Sequence, residues 1–114
     1  MSKWQRWALA GVALLAPAAA HAVDPAVKCE SDKLKAVGKY VYCRLLAESK
    51  AARSFAEPDF SKCDAQFMEK WAEMEEKAAA QSTSCWTTGD GTTVQGSTSS
   101  FTDSIADQLG VPAY

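Results

Sequence analysis

Cys29, Cys43, Cys63 and Cys85 are separated by 13, 19 and 21 intervening residues in a chain of 114. Thiols at such positions bind a metal, exchange electrons or cross-link. Zinc modules bring two sulfurs together in a C-x-x-C knuckle, and dithiol redox sites use the same short motif to lower a thiol pKa. No such motif occurs here. The spacing therefore predicts structural disulfides, the usual fate of paired cysteines in an oxidising compartment. Glu69, Glu73 and Glu76 recur at helical spacing, an arrangement that serves acid and base work or holds a cation. The plainer reading is a solvated helix face braced by a pair such as Glu73 with Lys77. Gly89-Asp90-Gly91 offers one acid where a calcium loop needs several, and reads as a turn.

The single histidine, His21, lies in a segment that resembles an export signal. Lys3 and Arg6 precede an apolar run from Ala8 to Leu15, Pro17 interrupts it, and Ala20-His21-Ala22 has the small-x-small form of a cleavage site. Residues 1–22 are thus expected to leave, and the chain from Val23 onward has no imidazole base for a serine or cysteine nucleophile. Carboxylate, lysine and tyrosine chemistry remain. The apolar run is short of the ~20 residues a spanning helix needs, so no transmembrane segment is expected after cleavage. The 12 basic and 14 acidic residues of the whole chain become ten and fourteen once Lys3 and Arg6 are gone. A mildly acidic chain has no general attraction for nucleic acid or anionic lipid. No cofactor motif is present, and no catalytic, cofactor-binding or metal-binding residue is assigned; the four cysteines are the only site residues.

Residues 23–114 make one small domain, whose core buries only about 60 to 65% of its unfolded surface. Three helices are legible. Asp24-Pro25 writes a start, with a capping carboxylate followed by the one residue that needs no donor at the first helical position. The first helix runs over about 25–55 and stops before Glu57-Pro58. Ser61-Lys62-Cys63-Asp64 resembles a capping box and opens a second helix over about 62–80. A Ser/Thr/Gly-rich loop is expected at 82–98, and Phe101, Ile105 and Leu109 at every fourth position predict a short third helix over about 99–109, closed by Gly110 and Pro112. The class is all-α: a disulfide-stapled antiparallel hairpin with a short C-terminal helix.

Helical phase places Cys29, Ala36, Tyr40, Cys43 and Ala47 on one stripe of the first helix. That narrow stripe suits close approach of the second helix, through Cys63, Phe67, Lys70, Trp71, Met74 and Ala78. A second stripe of Val27, Leu34, Val37, Val41, Leu45 and Ala52 lies about 130° around. Its cover is the third helix or a partner chain. Four cysteines allow three pairings. Cys29 and Cys43 lie about 21 Å apart along one helix, beyond disulfide reach. Pairing Cys29 with Cys63 would demand parallel helices across too short a connection. The nested pairing remains, Cys43 with Cys63 and Cys29 with Cys85. It requires an extended return after the first helix and an early end to the second.

The KLKAVGKYVYCRLLAESKAA and PDFSKCDAQFMEKWAEME strings, followed by a cysteine and TGD, resemble a cysteine-framed helical-hairpin module of secreted bacterial proteins. The resemblance spans Cys29 to Asp90 and implies fold and compartment; the module carries no established activity. Charge is unevenly shared, with seven basic and three acidic residues in 25–55 against three and six in 59–80. Complementary helices choosing an antiparallel register explain this, and so does a docking strip for an acidic partner. Trp71 is expected in the core and Trp86, in a polar loop, at the surface. The leading expectation is an exported, periplasmic or extracellular interaction or structural module whose protein or envelope partner is unknown. The alternative is a small carboxylate-based hydrolase or enzyme inhibitor using Glu69, Glu73 and Glu76.

Overall fold

A computed structural model describes residues 24–111, and the expected export signal at 1–22 lies outside them. Three helices follow in order: α1 (Pro25–Ser54), α2 (Ser61–Ala80) and α3 (Gly91–Gln108). The class is all-α, and no helix among the described residues is long and apolar enough to cross a membrane. Asp24 caps α1 as expected, its Oδ1 accepting from the Ala26 amide at 2.8 Å, with Pro25 at the first helical position. The helix closes on Phe55, whose φ of 52° is left-handed and whose N–H reaches the Ala51 carbonyl. A left-handed conformation on a bulky residue is a genuine outlier.

The start of α2 is capped differently from expectation. Ser61 is its first helical residue and no side chain caps from Phe60; instead Asp59 Oδ1 accepts from the Ser61 amide at 3.0 Å and the Ser61 hydroxyl at 2.7 Å. Asp64 is free for another task, described below. The two disulfides are the nested pair, Cys29 with Cys85 and Cys43 with Cys63, at Cα separations of 5.5 and 5.7 Å. α2 ends at Ala80, where the chain folds back through Ser82, itself at a φ of 56°. By loop-closure arithmetic the shorter loop contributes about 3 kcal/mol and the longer about 4 kcal/mol.

The third helix is the main departure. It begins at Gly91 rather than near residue 99, so the expected loop at 82–98 shrinks to the stretch between Ala80 and Gly91. Its inward face carries Gly91, Val94, Thr98, Thr102 and Ala106, spaced 3, 4, 4 and 4. Apart from Val94 these are small or hydroxylic, so the stripe reads as loop composition while packing as helix. Hydroxyls return to the helix's own backbone, Thr98 to the Val94 carbonyl at 2.8 Å and Thr102 to that of Ser99 at 3.0 Å. Gly91 meets α2 so closely that a Cβ there would stand 2.9 Å from Trp71 Cδ1. Phe101 and Leu109, expected to face inward, stay 55% and 76% exposed; only Ile105 of the three is partly covered.

The core consequently forms along the α1–α2 contact. Tyr40, Cys63, Phe67 and Trp71 make its centre, with Cys29, Ala78 and Cys85 as a second cluster and Met74 touching both. Phe67 stacks between Tyr40 and Trp71 at centroid distances of 4.8 and 5.0 Å. The second stripe of α1 is covered only in its middle: Val37 packs with Val94 against the core, while Val27 and Leu34 remain exposed. α3 lies instead along the polar line between the two stripes, where Lys33 and Arg44 point inward.

Candidate functional site

Two buried cations join the three helices. Lys33, 3% exposed, donates to the Thr87 carbonyl at 2.8 Å and to Asp90 Oδ1 at 3.2 Å, with Glu75 Oε1 at 3.3 Å and the Trp71 ring centroid 4.6 Å away. Asp90 also receives the Trp71 indole N–H and the Thr87 hydroxyl. Burial alone would raise the Asp90 carboxyl, but the donors Thr87, Trp71 and Lys33 outweigh it and hold it down at about 2. The Gly89-Asp90-Gly91 turn is thus a structural anchor that ties the connector to α1 and α2.

Arg44 repeats the device one helical segment on. Its Nε donates to Thr102 Oγ1 at 2.7 Å, another guanidinium N–H to Asp103 Oδ1 at 2.9 Å, and the group stacks 3.7 Å from the Phe60 ring. Tyr40 donates to Asp64 and lies 3.0 Å from Ser99 Oγ. Burial and the Asp64 carboxylate raise the Tyr40 phenol, which stays protonated and serves as a donor. Among the described residues no buried side-chain nitrogen or oxygen lacks a hydrogen-bond partner. These clusters are joints whose buried polar atoms are all hydrogen-bonded, while Asp64 and Asp103 also face solvent. Their interhelical ion pairs, Lys33 with Glu75 and Arg44 with Asp64, join the basic α1 to the acidic α2.

Of the three carboxylates singled out on α2, Glu73 is held below the ordinary carboxylate range by hydrogen bonds from Lys77 and Lys70. Glu69 and Glu76 are exposed. Glu75, which sequence reasoning did not separate from its neighbours, is the one that enters the structure, accepting from Lys33 and from the Gly89 amide. Trp71 is buried and Trp86 is 70% exposed, each as expected, and the Trp86 amide donates to Glu30. Glu30 therefore stands beside the Cys29–Cys85 bond, within 4.8 Å of both sulfurs. Those sulfurs are spent in the disulfide and present no thiolate for a metal.

A concavity lies on the face of the hairpin away from the Lys33 and Arg44 joints. It is a groove of about 580 Å³ between α1 and α2. Its floor is apolar, made by Ala36, Tyr40 and Cys43 from α1 and by Cys63, Phe67 and Met74 from α2. Its rim is charged: Lys35 and Lys39 on one side, Glu69, Lys70, Glu73 and Lys77 on the other. One disulfide crosses its floor, and Met74 connects it to the cluster around the second. Such a volume between helices is in the range where bundles bind ligands or partner segments. Neither a family model nor a curated protein nor a solved structure matches this chain.

Proposed function

We propose that this protein is an exported, non-enzymatic interaction module that presents the α1–α2 groove as a rigid docking face. The observation that carries the reading is a disulfide-locked groove, partly exposed at Ala36, Cys43 and Met74 and rimmed by charge, that stays open while α3 covers the opposite side. A face fixed before encounter loses little conformational freedom on binding. Two disulfides are consistent with an extracytoplasmic compartment. The signal-like features of residues 1–22 and the resemblance to the cysteine-framed hairpin module support export further. The hydrolase alternative draws no support from Glu73, which two lysines keep ionised.

The test places a photoreactive side chain at Lys39 in the groove rim, or at Phe101 on the outer face of α3, in the full chain expressed in its own host. A docking face in the groove gives adducts from the Lys39 position and none from Phe101. Equal yields from both positions, or none from Lys39, would refute it. Fractionation of the same cells places the processed chain outside the cytoplasm; retention inside with residues 1–22 attached would refute export.

A further inference from the structure

The second stripe of α1 keeps a heptad rhythm that the fold leaves open. Positions 27, 31, 34, 38, 41, 45, 48 and 52 follow at 4, 3, 4, 3, 4, 3 and 4, the period at which one helix offers a continuous seam to another. None of the eight is buried. Leu34 is 75% and Val27 43% exposed, Ser31, Gly38 and Ala52 are exposed as well, and Val41, Leu45 and Glu48 are half-buried. α2 and α3 take the sides of α1 that carry Cys43 and Arg44, about 170° and 90° around from this seam. Gly38 sits at its middle. A glycine inside a helix is unfavourable, and within the single chain nothing lies within 4 Å of where its Cβ would stand. Close approach of another backbone is what that missing Cβ permits.

The seam fits itself when turned end for end. About a two-fold axis between residues 39 and 40, Gly38 faces Val41 of the other copy, Leu34 faces Leu45, Val27 faces Ala52 and Ser31 faces Glu48. Small side chains thus meet larger ones, and the one carboxylate of the seam meets a hydroxyl that can donate to it. A parallel pair would instead set every residue against its own copy, Glu48 on Glu48 included. From Val27 to Ala52 the seam runs about 38 Å on a helix about 10 Å across, and the 66% exposed ring of Tyr42 lies on its flank. Two such strips bury about 1,000 Å² in all, the lower bound for a specific interface. We propose that α1 pairs through this stripe with α1 of a second copy of the chain, antiparallel, in a weak and reversible dimer. The α1–α2 groove lies on another side of α1, so the pairing does not depend on the docking reading.

Sedimentation equilibrium of the oxidised full chain, from about 1 μM to 1 mM at low salt, measures the dissociation constant. The wild-type chain passes from monomer to dimer within that range. Leu34→Glu buries a charge against Leu45 of the other copy, and Gly38→Gln fills the close approach; each raises the constant about tenfold or more. Both positions are open in the single chain, and circular dichroism with unreactive thiols verifies that the variants are folded. Phe101→Ser, which removes an equally exposed apolar side chain from α3, leaves the constant in place. Ser31→Lys reads the direction of the pair. Antiparallel, the new ammonium meets Glu48 of the other copy and tightens the dimer about threefold or more; parallel, it meets its own copy and loosens it. A chain that stays monomeric to about 1 mM, association indifferent to Leu34→Glu and Gly38→Gln, or loosening by Ser31→Lys overturns the proposal. Phospholipid vesicles that bind the monomer through Leu34 would assign the stripe to a membrane, and overturn it too.

Discussion

Lys33 replaces what a helical-phase argument leaves unassigned. It belongs to neither apolar stripe of α1, yet it is buried, because three acceptors and an indole face converge on its ammonium. No spacing rule marks a lysine for burial; its acceptors come from Glu75, Thr87 and Asp90, which only the finished fold brings together. Arg44 was equally illegible. Lys33→Met keeps the stem against Trp71 but strands part of the Asp90 charge, and is expected to cost about 2 to 3 kcal/mol in urea denaturation at neutral pH. Acid gives a second reading. The Asp90 carboxyl titrates at about 2 in the folded chain against 3.8 ordinarily, so its contribution is full above about pH 4 and disappears as pH falls towards 2. The wild-type chain should therefore lose about 2 kcal/mol over that window that Asp90→Asn, already weaker at neutral pH, does not lose. Parallel pH profiles of the two would contradict this.

At the scale of elements, the hairpin was readable because its signals are local and agree with one another. Asp24-Pro25 starts α1, Glu57-Pro58 stops it, and the polar run after Ala80 stops α2. The nested disulfides followed from helix length and from the short connection between α1 and α2. The first half of α3 was hidden because Gly91, Gly96 and six hydroxylic residues from 92 to 100 have weak helical preference, which packing against Trp71 and Tyr40 overrides. The three helical glycines separate these effects. Gly38 and Gly96 have nothing within 4 Å of a built Cβ, so Gly38→Ala and Gly96→Ala should each stabilise by about 0.5 to 1 kcal/mol. Gly91→Ala presses on the Trp71 ring, and should destabilise by about 1 to 3 kcal/mol despite the better propensity. Melting temperatures of the three variants check the sign directly; a gain for Gly91→Ala would show that α3 stands off α2.

For the whole molecule, the apolar core is one layer thick and the disulfides supply much of its cohesion. Replacing Cys43 and Cys63 by alanine is expected to cost about 3 kcal/mol, and replacing Cys29 and Cys85 about 4 kcal/mol, a large share of a small domain's stability. The intact oxidised chain should take up no thiol-reactive label without reductant. The outer bond has a mechanical consequence as well. Cys29 and Cys85 are 56 residues apart in sequence, but tension applied across Asp24 and Val111 crosses from one to the other through sulfur. The load path skips nearly all of α1 and the whole of α2. Stretched by its ends, the chain should pay out only α3 and the segments beside the bond, while the groove keeps its shape until a reductant lengthens the tether. A partner seated there would hold on under pull.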